Sequence, residues 1–159
     1  MKRGLEGLLN YIEDNRVITR PYSDDSKSRH ELIRMRIRDR PDLIGIAHDE
    51  LTVYDEVRFP KVSDIIFVDG SKIYFIEVKS SRKGVNSNGT IPKLAETYKF
   101  IKSEFGIKPE IIIVYGRKRD KLGYTSLKFN KEGKLISNVM VYKRNSQDNK
   151  GYREYNLTY

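Results

Sequence analysis

The sequence predicts one α/β domain built on a mixed β-sheet, and three observations carry that expectation. Apolar residues gather in strand-length runs, "DIIFV", "IYFIEV" and "EIIIVY", rather than being spread evenly. Asp69-Gly70 stands between the first two runs, and this dipeptide favours tight hairpins because both positions tolerate positive φ. Between the second and third runs lies "PKLAETYKFIKSEFG", whose apolar residues recur at helical spacing. Strand, crossover helix and strand then require the last strand to run parallel to one already in the sheet. At 159 residues the chain has the length of a single domain, 1–159, and no repeat or linker divides it.

Each element follows from local pattern. In "KRGLEGLLNYIED", Leu5, Leu8, Leu9 and Ile12 make one stripe of an amphipathic helix, weakened by two glycines. "TRPYSDDSKSRHELIRMRIRDRP" begins as a polar loop. Its Met35 and Ile37 alternate with arginines as in a strand, while its length and the Ser28-to-Glu31 capping-box spacing suit a short helix, which we prefer. From Asp42 a strand pattern begins with "DLIGIA", followed by a polar turn at His48 to Glu50. "LTVYDEVRF" then alternates Leu51, Val53, Asp55 and Val57 against Thr52, Tyr54, Glu56 and Arg58.

The Asp69-Gly70 hairpin comes next, and after it a loop, "KGVNSNGT". Thr90 and Pro92 open the helix carrying Leu94, Ala95, Tyr98, Ile101 and Phe105, which Gly106 stops. "KPEIIIVYG" is continuously apolar, as a strand covered on both faces is. The core thus spans about 42–116, residues 124–143 form an added hairpin turning at Asn130 to Gly133, and 145–159 are an extra strand or loose tail.

A formal charge of +9 and 31 Lys and Arg distributed along the chain predict a folded basic face and a polyanionic partner. Nucleic acid is favoured over a membrane, since no long apolar span, signal peptide or wide-faced basic helix is present. With no cysteine, disulfides, thiolate metal sites and cysteine nucleophiles are excluded, and a cytoplasmic location is expected. His30 and His48 are the only histidines, too isolated for zinc, and are expected in loops.

Three charges interrupt the most apolar hairpin: Asp64, Glu77 and Lys79. A two-residue loop at Asp69-Gly70 sets Asp64 opposite Phe75, and a four-residue loop, Asp69 to Lys72, sets it opposite Glu77. Under either register side-chain alternation puts all three charges on one side of the sheet. Two carboxylates on one face repel unless they protonate or bind a cation, and their hard oxygens suit Mg²⁺ or Mn²⁺. With a lysine beside them, such a group matches phosphodiester hydrolysis, in which a metal activates water and the cations stabilise the charge of the transition state. The plain alternative is a solvated charge ladder, but Ile73 and Phe75 share the face, so the stripe turns charged only at one end.

Asp64, a gap of twelve residues and Glu77-Val78-Lys79, set between an N-terminal helix and a strand-helix-strand unit, resemble the PD-(D/E)XK nuclease superfamily. From about Val62 to Arg117 the chain is similar to archaeal Holliday-junction resolvases and related small nucleases of archaea and their viruses. The resemblance implies a restriction-endonuclease-like αβββαβ core and a divalent-metal-dependent nuclease acting on DNA, branched or duplex. It implies a homodimer where both strands are cut, in the host cytoplasm if virus-encoded. Asp64 and Glu77 would be metal ligands with the Val78 carbonyl, and Lys79 the catalytic lysine, for Mg²⁺ or Mn²⁺. A further acid would come from Glu6, Glu13 or Glu56, with Glu56 and Glu6 ranked together ahead of Glu13, and Ser80, Ser81, Arg82 and Lys83 would start the loop facing the scissile phosphate.

The family's proline is replaced by Ser63 immediately before Asp64, and Gly4 and Glu6 lie closer together than in resolvases. A second set, Pro41-Asp42 with Glu56-Val57-Arg58, has the proline but puts arginine in place of lysine, so the Asp64 set is preferred. Arg82, Lys83, Arg117, Lys118, Arg119 and Lys121 fall in loops near the strand ends bearing the acids and are the expected phosphate contacts. The run from Arg34 to Arg40 suits either phosphate contact or a solvated face. The tyrosines late in the chain, Tyr142, Tyr152, Tyr155 and Tyr159, suit packing more than base stacking. The rival functional class is a non-catalytic basic nucleic-acid-binding protein whose charges are structural.

Overall fold

A computed structural model describes residues 2–16, 29–47, 49–59, 61–85, 89–117, 121–132, 134–143 and 153–156. Helices α1 (Gly4–Asp14) and α2 (Arg29–Asp39) lead through a 3₁₀ turn (Pro41–Ile44) into β1 (Thr52–Phe59), β2 (Lys61–Asp69) and β3 (Lys72–Lys79). A one-turn helix α3 (Arg82–Val85) and the long α4 (Thr90–Phe105) cross to β4 (Glu110–Gly116). Strands β5 (Leu122–Phe129), β6 (Leu135–Lys143) and β7 (Arg153–Asn156) complete a sheet whose spatial order follows the chain, β1 to β7. All neighbours are antiparallel except β3 and β4, which are parallel, as the strand-helix-strand pattern requires.

The sheet carries an apolar layer on each face. On one side Leu8 and Ile12 of α1 and Leu94, Tyr98, Ile101 and Phe105 of α4 pack on Ile66, Val68, Ile73, Phe75, Ile111, Ile113 and Tyr115. On the other, Ile33 and Ile37 of α2 and Ile44 pack on Ile65, Phe67, Ile76, Val78, Ile112 and Val114. Period-two alternation in β2, β3 and β4 deals these residues to the two layers in turn, which explains why "EIIIVY" has no polar face. Removing a ring such as Phe105, 1% exposed, costs about 3–5 kcal/mol.

Three expectations are corrected. "DLIGIA" is not a strand: Pro41 fixes a helical φ at the first position and Gly45, at φ +80°, ends the turn in the left-handed region. The hairpin closes one residue later than Asp69-Gly70 suggests, because Asp69 still pairs with Lys72 and Gly70-Ser71 form the turn, Gly70 supplying the positive φ at its first position. Val57 leaves the alternation of β1: Val53 and Asp55 face α2, whereas Val57 packs with α1, where Arg16 bridges to it. The ambiguous arginine-rich segment is helical, and the hairpin at 124–143 is present as β5 and β6. Its turn is held by the Asn130 side chain, which accepts from the N–H groups of Glu132 and Lys134. Residues 153–156 of the tail pair with β6. Ser28 and His48 lie outside the described residues.

Candidate active site

The β2–β3 register, Val68↔Ile73 through Ile65↔Ile76, points Asp64 at Glu77, the four-residue-loop alternative. Cross-strand pairing stops at Ile65, and the Asp64 carboxylate takes over: its Oδ2 accepts the backbone N–H of Val78 at 2.8 Å. The two strands therefore part at the acids while β3 continues beside β4 as far as Lys79↔Tyr115. A fork opens where the apolar stripe of Ile66, Val68, Ile73 and Phe75 ends.

Glu77 continues that stripe at 5% exposure. Burial raises its pKa, and the neighbouring Asp64 carboxylate raises it further, against the opposing pull of Lys93 and Lys79. Lys79 Nζ stands 3.4 Å from Glu77 Oε1, as expected of residues two apart on one face of a strand. Its stem lies against Gly84 of α3, where an added Cβ would meet Lys79 Cβ at 3.0 Å and Cδ at 3.1 Å. Glycine at that position leaves the lysine room to lie along the sheet end.

Two residues from the helices complete the cluster, and sequence reasoning did not select either. Lys93, in the first turn of α4, reaches both Glu77 oxygens, at 3.3 and 3.2 Å. His30, expected in a loop, lies in the first turn of α2, and its Nε2 is 3.4 Å from Asp64 Oδ1. The hydrogen bond to Asp64 raises the His30 pKa, burial opposes it, and the Asp64 charge adds to the rise. Helical spacing is the signal the sequence offers for them, His30 sharing a face with Ile33 and Ile37 and Lys93 preceding Thr97 by one turn, and it does not point to the acids.

The other expected residues divide. Glu6 is exposed at the start of α1, where the Arg3 N–H donates to the Glu104 carbonyl at 3.1 Å. That junction lies roughly 16 Å along α4 from Lys93, so the fold does not bring Glu6 to the acids. Glu56 occupies the β1 position bracketed by Asp55↔Ile65 and Val57↔Ser63, hence beside Asp64 in the register, and its side chain is outside the described set. Asp42 is exposed in the 3₁₀ turn and bound by Arg40 at 2.9 and 2.8 Å, so no hairpin aligns it with Glu56 and Arg58. Ser81, Arg82 and Lys83 are exposed just beyond β3. The N–H of Arg117, after β4, donates to the Lys121 carbonyl, and its own carbonyl accepts from Arg29. Lys118 and Arg119 lie outside the described residues.

The donor chemistry fits a hard divalent cation in one respect: two carboxylates, one of them buried, converge and repel. Among the described residues no group of three or more His, Cys, Asp or Glu is disposed to hold a metal, so a full coordination shell would draw on the Val78 backbone, water or substrate oxygens. No helix of the described chain is long and apolar enough to cross a membrane. Compared with models of protein families, with curated proteins and with solved structures, the chain matches none.

Proposed function

We propose that this chain is a divalent-metal-dependent nuclease that hydrolyses DNA phosphodiester bonds, using Asp64, Glu77 and Lys79. The observation that carries the proposal is the fork itself: two carboxylates and two lysines gathered at the end of an apolar stripe, where β2 leaves β3. The order of a helix, three antiparallel strands, a crossover helix and a parallel strand is consistent with the αβββαβ core of the PD-(D/E)XK nucleases that the sequence resembles.

Asp64 and Glu77, with the Val78 carbonyl, would hold Mg²⁺ or Mn²⁺, which supplies charge neutralisation and a more acidic bound water. The chain's own groups do the rest. Lys79, with its Nζ 3.4 Å from Glu77 Oε1, would supply an ammonium to stabilise charge that grows on the phosphoryl oxygens. Lys93 balances the Glu77 carboxylate from the helix side, and His30 orients Asp64 through Oδ1 while the Val78 N–H fixes Oδ2. Arg82 and Lys83, exposed beyond β3, are placed for flanking phosphates. A homodimer would present two such forks to opposite strands.

A second reading has its own support. The two lysines already compensate Glu77, as they would in a purely structural cluster of a non-catalytic DNA-binding protein. Cleavage of linear, closed circular and branched DNA with Mg²⁺ or Mn²⁺, by the wild type and by Glu77→Ala, separates the two. Nuclease function requires metal-dependent cleavage that falls by at least about a hundredfold in the variant, the scale of a lost electrostatic group. Binding without cleavage, or cleavage indifferent to the substitution, leaves the structural reading standing.

A further inference from the structure

The arginines of α2 fall into two sets. Arg34 and Arg38 turn toward acids: Arg34 binds Glu31 and Asp55, and Arg38 reaches Asp55 and Asp39. On the opposite flank, Arg29 and Arg36 line a cleft of about 350 Å³ with Leu32, Ile33, Lys121 and Leu122. Among the described residues no carboxylate lies within ion-pair reach of Arg36 or Lys121. Leu32, at 54% exposure, is the exposed large hydrophobic side chain of the described chain, and it stands in this cleft.

The cleft adjoins the fork. Its wall includes Gly116, where an added Cβ would meet the Ser80 carbonyl at 2.7 Å, Ile33 Cδ1 at 2.8 Å and Arg29 Nε at 2.9 Å. Ser80 directly follows Lys79, and His30, the neighbour of Arg29, touches Asp64. One turn of α2 therefore borders both the acids and the cleft.

We propose that this cleft holds an unpaired nucleotide of a DNA strand beside the bond to be cut, its base on the apolar floor of Leu32, Ile33 and Leu122 and its phosphates on Arg29, Arg36 and Lys121. The cations alone would serve any polyanion. An apolar floor adds nothing for an intact duplex, which presents phosphates outward and keeps its bases stacked inside. Single strands expose the flat faces that apolar and guanidinium surfaces cover, and the volume lies in the range of small-ligand sites, about 300–1,000 Å³. The proposal extends the nuclease reading by naming the form of its substrate, single-stranded or locally unpaired DNA.

The test measures binding in EDTA, so that it does not depend on cleavage. Fluorescence anisotropy of a labelled oligothymidylate and of a mixed-sequence duplex of equal length would be followed for the wild type, Leu32→Ala, Arg36→Glu and the remote control Lys131→Glu. The expected result is about a fivefold to tenfold loss of single-strand affinity in Leu32→Ala with duplex affinity unchanged. Arg36→Glu should lose at least tenfold on the single strand, and Lys131→Glu should match the wild type. Single-strand affinity unchanged in Leu32→Ala or in Arg36→Glu, or a Leu32→Ala loss equal on single strand and duplex, would overturn the proposal. Failure of the nuclease reading shows separately, as absent metal-dependent cleavage by a protein whose EDTA binding still follows this pattern.

Discussion

Glu77 is a carboxylate in a position where the fold disfavours its charge, because burial and Asp64 both act against ionisation. Such a residue is retained where its function needs the charge, so stability and activity should move apart on substitution. Glu77→Gln keeps the shape and removes the charge: cleavage should be lost, while the melting temperature in EDTA should hold or rise. A drop of more than a few degrees would show that Glu77 is chiefly a partner of Lys79 and Lys93. Metal provides an independent check, since a ligand at a hundred times its Kd stabilises the folded state by about 2.7 kcal/mol. Saturating Mn²⁺ should raise the wild-type melting temperature by several degrees and leave Glu77→Gln unmoved; equal shifts would place the metal elsewhere. Asp64, Glu77 and Lys79 could be read from strand alternation alone. His30 and Lys93 could not be paired with them in that way, because each comes from a helix whose docking brings it to the acids.

At the level of elements, α2 is joined to the sheet by charge as well as by Ile33 and Ile37. Arg34, 6% exposed, lies between Glu31 and Asp55, with its Nη1 2.8 Å from Asp55 Oδ1 and its Nε 3.1 Å from Glu31 Oε2. The hydrogen bond from Arg34 lowers the Glu31 pKa below its ordinary 4.5, with burial opposing and the Arg34 charge assisting. A carboxyl whose folded pKa is depressed adds stability that is complete above the unfolded value and is lost as pH falls through the folded one. Glu31→Gln should destabilise the protein at pH 7 by about 2–3 kcal/mol, less than the 3–5 kcal/mol for a wholly broken buried pair because Asp55 remains. Its deficit against the wild type should shrink as pH drops below about 4.5; a constant deficit in acid denaturation would contradict this account. Gly116 marks the other attachment of α2, with Ile33, Arg29 and the Ser80 carbonyl all too close for a Cβ. Gly116→Ala should cost about 1–3 kcal/mol by thermal denaturation as α2 is pushed away, and a neutral result would mean that α2 is loosely seated.

Over the whole molecule, the charge of +9 includes cations bound to acids, such as Arg34, Arg38 and Arg40, and the exposed side chains Arg82 and Lys83 just beyond β3. On the proposed DNA-binding role, the exposed pair beyond β3 should contribute directly to the salt dependence of binding. Each phosphate neutralised contributes about −0.9 to the slope of log K against log salt, so Arg82→Ala/Lys83→Ala should flatten that slope by nearly 2. An unchanged slope would move the DNA path off the β3 end. The mixed helix-and-sheet class, the hairpin, the crossover helix, the parallel β4 and the shared face of Glu77 and Lys79 were all readable from the chain, because strand and helix periods are local properties. Local pattern misassigned "DLIGIA", where Pro41 and Gly45 outweigh an apolar run that a helical turn buries equally well. The parting of β2 and β3 at Asp64, the meeting of His30 and Lys93 with the acids and the distance of Glu6 from them come from the packing of the elements. The physical reason is that these contacts join elements far apart in sequence, and their geometry is set by how two helical layers seat on a sheet rather than by the spacing of neighbours along the chain.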